Sequence, residues 1–154
     1  MNVYIDSETL QTEKPDDLAA LRANAVAPAN LVDAEKIAAA KEKAFTKTWE
    51  KTSLDGTYGT LACICFAVED GPVIALSVEE QTEAELLRLF WDRLDKECHD
   101  QHGNDRSPWF VGFNLPFDLK FIWRRSVVNG VRPTRQFPYN AAPWNNRYTD
   151  LMYE

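Results

Sequence analysis

Trp109-Phe110-Val111-Gly112-Phe113-Asn114-Leu115-Pro116-Phe117-Asp118 is the stretch on which the fold turns. Trp109–Phe113 is an unbroken apolar, β-prone run, short enough for a buried strand. Asn114 follows as a helix N-cap, with Pro116 tolerated in the first turn. The helix predicted from there spans about residues 115–129, with Gly130 at its end. Asp118 then lies about one turn inside that helix, beside its positive end and close to the edge of a sheet.

Moving toward the N-terminus, Thr82 reads as the cap of a helix over about 83–100. Glu83 and Glu85 in its first turn suit the helix dipole, and Leu86, Leu87, Phe90 and Leu94 form its inward face. Before it, residues 58–68 read as a buried strand and Val73–Val78 as its return, joined by the turn Glu69-Asp70-Gly71-Pro72. Asp33 opens an Ala-, Lys- and Glu-rich helix that Asp55-Gly56 ends, and residues 11–32 form an excursion with at most a short helix. Residues 2–6 are an opening strand. Toward the C-terminus, residues 131–147 read as loop and Tyr148–Met152 as a last short strand. A hairpin followed by β–α–β units implies an α/β fold with a mixed sheet and flanking helices.

With 154 residues, 45% of them hydrophobic, the chain fits one domain, with a helical insertion at about 11–56. The net charge of −7 argues against a protein that coats nucleic acid by charge alone. Three cysteines, an odd number without disulfide-like spacing, fit a reducing cytoplasm. Cys63 and Cys65 read as small core residues, and the Cys98-His99-His102 cluster lacks the second ligand pair that a zinc site needs. The N-terminus does not read as a signal peptide and no apolar window suits a membrane span, so the expected location is cytoplasmic with no membrane partner.

Asp6 and Glu8 stand two residues apart at the end of the opening strand, which puts both carboxylates on one face. Two such charges side by side call for a cation between them, and hard oxygen ligands suit Mg²⁺ or Mn²⁺. Taken alone, an Asp-x-Glu triplet among 24 acidic residues is also what a solvated strand end looks like.

Val3-Tyr4-Ile5-Asp6-Ser7-Glu8-Thr9 resembles the first motif of the DnaQ-like (DEDD) 3′–5′ exonucleases, and Val111–Asp118 resembles the second. Tyr148-Thr149-Asp150-Leu151-Met152 is similar to the segment that follows the second motif in the group related to the proofreading domain of family B DNA polymerases, a group found in phages and bacteria. The resemblance implies a ribonuclease-H-like fold and a metal-dependent hydrolase that removes nucleoside 5′-monophosphates from single-stranded 3′ ends of DNA or RNA. Two ions, Mg²⁺ or Mn²⁺, are implied on Asp6, Glu8 and Asp118, with Asp6 bridging, so that attacking and leaving oxygens are clamped in line. Thr9, Asn114 and Phe117 are implied as substrate contacts. Arg124 and Arg125 belong to a basic cluster (with Lys120, Arg132 and Arg135) interleaved with Trp123, Phe137, Tyr139 and Trp144, a composition that suits phosphates and unpaired bases.

The sequence departs from the family at the third motif, which supplies a fourth carboxylate and a His or Tyr base on a later helix. The expectation is therefore a nuclease domain lacking its C-terminal helices, weak or inactive as this chain. Sheet surface bared by their absence would be covered by self-association or a partner. The other reading is a non-catalytic nucleic-acid-binding or regulatory module that retains the nuclease fold.

Overall fold

The computed structural model describes residues 1–99, 102–140 and 148–153. Strand β1 (Asn2–Leu10) is followed by helices α1 (Pro15–Ala23) and α2 (Ala34–Glu50) and a 3₁₀ turn (Lys51–Leu54). Then come the hairpin strands β2 (Thr60–Val68) and β3 (Ile74–Ser77), helix α3 (Glu83–Glu97), strand β4 (Trp109–Gly112), helix α4 (Leu115–Val128) and strand β5 (Tyr148–Asp150). The chain divides into two compact units, one made of Met1–Thr9 with Leu61–Glu154, the other of Leu10–Thr60. No helix among the described residues is long and apolar enough to cross a membrane.

The first unit is α/β. Its sheet has the order β3-β2-β1-β4-β5, antiparallel between β2 and β3 and parallel across β1, β4 and β5. The register pairs Val3 with Phe110 and Phe110 with Tyr148, so these side chains share a face. That face is the core side. Val3, Ile5, Ile64, Phe66, Phe110 and Tyr148 join Leu86, Leu87, Phe90 and Trp91 of α3 and Leu115, Leu119, Phe121 and Ile122 of α4 in one buried cluster. Phe66 meets Phe90 edge-on at 5.4 Å, and Trp91 Nε1 donates to Ser126 Oγ at 3.0 Å, tying α3 to both sheet and α4.

Local chemistry sets the helix boundaries. Thr82 and Glu85 form a reciprocal capping box at the start of α3. At the end of α4, Gly130 adopts φ 63°, and the N–H of Val131 donates to the Ser126 carbonyl, closing the last turn. In the second unit Asp33 caps α2, accepting from the N–H groups of Glu35 and Lys36. There Arg22 of α1 pairs with Glu42 and lies over the Phe45 ring, while Trp49 Nε1 donates to the Thr12 carbonyl.

Gly112 ends β4 where the chain must pass close to β1. A Cβ there would stand 2.7 Å from the Ile5 carbonyl oxygen and 3.0 Å from a Leu115 methyl. Neither neighbour can yield, because one is strand backbone and the other is buried in the core. Gly112→Ala is expected to cost about 1–3 kcal/mol through overpacking, measured as a lower urea midpoint with an unchanged m-value.

Candidate metal centre

The alternation of β1 decides which side chains can meet. Val3, Ile5 and Ser7 turn inward, while Tyr4, Asp6 and Glu8 are exposed on the other face. Asp6 and Glu8 thus share a face, as their spacing requires. Ser7, between them, reaches the α4 side. Its N–H and its Oγ both donate to Asp118 Oδ1, at 3.0 and 2.6 Å. Asp118 is only 4% exposed, so this acid is held against the backbone between Asp6 and Glu8.

Burial pushes the Asp118 carboxyl up to about 6. The Ser7 hydrogen bonds pull the other way, and the negative charge of Asp6 raises it further. A nearby cation would relieve both the burial and the repulsion. The charges of Asp6 and Glu8 are also felt by Cys65 on the neighbouring strand, whose thiol is raised first by burial, then by Cys63 and then by these two acids.

The donor set, all carboxylate oxygen, suits a hard divalent cation. The placement is looser than the chemistry. Among the described residues no three His, Cys, Asp or Glu side chains are grouped so as to hold a metal ion. As they stand, Asp6 and Glu8 project from the exposed face and one Asp118 oxygen is occupied by Ser7.

Other expected site residues divide. Thr9 is half-buried near the end of β1, and Phe117 is half-buried against Phe121, ring centroids 5.6 Å apart. Arg124 is half-buried on α4. Asn114 stands at the head of α4 as expected but does not cap it. Its backbone is left-handed, φ 52°, and its side chain makes no capping bond; this conformation, which Asn tolerates, turns β4 into α4.

Arg125 must be corrected outright. It is 1% exposed and donates from Nε and Nη2 to the two Glu83 oxygens at 2.8 and 2.6 Å, so it is a buried ion-pair partner rather than a phosphate ligand. Glu83 also accepts from the Leu61 N–H and from Asn129 Nδ2. Burial raises its carboxyl, and these hydrogen bonds, led by Arg125, more than reverse that. Sequence reasoning read Glu83 only as a dipole partner, because nothing local points to an arginine 42 positions later.

The basic cluster disperses in the same way. Arg135 pairs with Asp95 and Asp105, and Phe137 is core. Trp144 lies outside the described residues. Cys63 and Cys65 are half-buried and, by strand alternation, back the face opposite Ile64 and Phe66, which corrects their reading as core. Ser7 was missed as a site residue, although its place between two outward acids on an alternating strand is the signal that it faces inward.

No protein-family model, no curated protein and no solved structure matches this chain.

Asp118 binds its proton more tightly folded, near 6, than at its ordinary value of 3.8. Its charge therefore weakens the fold above pH 6, and the penalty vanishes as pH falls toward 4. In metal-free buffer Asp118→Asn should gain roughly 1–3 kcal/mol at pH 7, and the gain should shrink to nothing by pH 4 in pH-dependent urea unfolding. Arg125→Met leaves Glu83 buried without its cation and should lose about 3–5 kcal/mol, read in the same assay at pH 7.

Proposed function

We propose that this chain carries the metal-binding part of a 3′–5′ exonuclease domain of the DnaQ-like type, on a ribonuclease-H-like sheet, acting on single-stranded DNA or RNA ends. One observation carries the reading: Asp118 is hydrogen-bonded to the amide and hydroxyl of the residue between Asp6 and Glu8. Asp118, in the segment that resembles the second exonuclease motif, is thereby tied to the end of the strand that carries Asp6 and Glu8, whose side chains project from the other face.

In this reading Asp6, Glu8 and Asp118 hold Mg²⁺ or Mn²⁺, which supplies the positive charge that phosphodiester hydrolysis requires. Ser7 fixes the rotamer of Asp118. Gly112 lets β4 run close enough to β1 for α4 to start beside them. The acids are expected to draw together on binding the cation, because like charges at this range stay apart without one. Tyr4 and Trp109 are exposed on the same face as Asp6 and Glu8, and a second copy or a partner covering them belongs to the same proposal.

A second reading, a nucleic-acid-binding or regulatory module without catalysis, is favoured by the acids not standing as a ready three-ligand group among the described residues. One experiment separates the two. Saturating Mn²⁺ at about 100 times its Kd should stabilise the chain by about 2.7 kcal/mol, a rise of several degrees in Tm. Asp6→Ala and Asp118→Ala should each abolish that rise. Release of nucleoside 5′-monophosphates from a 3′-labelled single strand supports the exonuclease, and a Tm rise with no release supports the binding module. The absence of any Tm rise sinks the exonuclease reading.

A further inference from the structure

Helix α4 carries a second feature that the acids do not use. Trp123 and Tyr139 stack with ring centroids 4.1 Å apart and planes within 2° of parallel. Most aromatic pairs in this protein's core meet edge-on, so the flat stack is a different arrangement. Trp123 is half-buried and packs on the core from its helix. While the Trp123 it stacks on is half-buried, Tyr139 is 39% exposed. Its position is fixed by neighbours in the chain. Phe137, two residues earlier, is buried between Trp91 and Phe110, with ring centroids 4.9 Å from each, and its carbonyl accepts the Tyr139 N–H at 2.9 Å. Pro138 stiffens the link between them.

On the α4 surface Lys120 and Val127 stand three residues before and four after Trp123, on the same stripe, and both are exposed. The stripe therefore sets an anchored π-stack beside an exposed cation, on the helix whose first turn holds Asp118.

We propose that the Tyr139–Trp123 stack with Lys120 is a subsite for single-stranded nucleic acid, in which an unpaired base continues the stack on Tyr139 and Lys120 meets a neighbouring phosphate. This rests on the exonuclease reading for its purpose, but not for its chemistry, since stacking needs no metal. Every base has a π-face, so the subsite is tolerant of sequence. The acidic balance of the whole chain makes a local pairing of stack and cation the more necessary, because no general positive field gathers the strand.

The test uses the full chain in EDTA, so that no strand is cut. The probes are a fluorescent oligothymidylate and an abasic strand of equal length, which keeps the phosphates and lacks the bases. Tyr139→Ala should weaken oligothymidylate binding roughly 5- to 100-fold and leave the abasic strand unaffected. Tyr139→Phe should bind as the unaltered chain does, and Lys120→Gln should weaken both probes. Thermal melts of each variant identify any that fail to fold; if Tyr139→Ala does, Tyr139→Leu, which keeps apolar bulk without a π-face, takes its place with the same expected and overturning results. The proposal is overturned if Tyr139→Ala lowers both probes equally or neither, or if the unaltered chain binds neither strand. Loss of this subsite with an intact Mn²⁺ response leaves the metal reading standing, and the reverse pattern removes the metal reading alone.

Discussion

A buried carboxylate with two donors ties helix α4 to strand β1. Asp118 lies where α4 starts, and Ser7 is the inward residue between two outward acids. An unpaired buried carboxylate would be costly, so the Ser7 amide and hydroxyl are what allow Asp118 to stay there. The two hydrogen bonds also set the geometry of the site, because they tether the first turn of α4 to the end of β1. Everything proposed about cations depends on that tether being where it is.

A second polar anchor performs the matching task at the far side of the helix pair. Glu83 at the start of α3 takes Arg125, Asn129 and the Leu61 N–H, which binds the first turn of α3 to the last turn of α4 and to β2. Removing water from such a pair is expensive, and the several donors on one carboxylate are what offset it. Helix α4 is therefore held at both ends by carboxylates, one its own and one from α3. Between them its apolar stripe of Leu115, Leu119 and Ile122 fills the core, while Lys120 and Val127 on its outer side are exposed.

The parts of the fold that were legible in the sequence are those dictated by short-range patterns. The hairpin of β2 and β3, the Thr82 cap, the strand-to-helix passage at residues 109–118 and the glycine stop at 130 were all expected and all observed. The opening strand runs four residues further than expected, because alternation continues through Ser7 and Thr9 where the charges suggested an end. Of the site, the side-by-side placement of Asp6 and Glu8 followed from period two. The fate of Arg125 did not, since an arginine reads the same in sequence whether it faces solvent or Glu83. Asn114 shows a subtler failure: the right residue stood at the helix start, but for its tolerance of a left-handed backbone and not for its side-chain cap.

Residues 6, 8 and 118 are proposed to share one divalent-cation site. Substoichiometric Mn²⁺ added to isotopically labelled protein tests this directly, since a bound paramagnetic ion erases nearby NMR signals first. The amide resonances of Asp6, Ser7, Glu8 and the first turn of α4 should broaden together, ahead of those remote from the site. Broadening that begins elsewhere, for example at Glu79 and Glu80 or at Asp16 and Asp17, or that reaches Ser7 without reaching Asp118, would contradict a shared site.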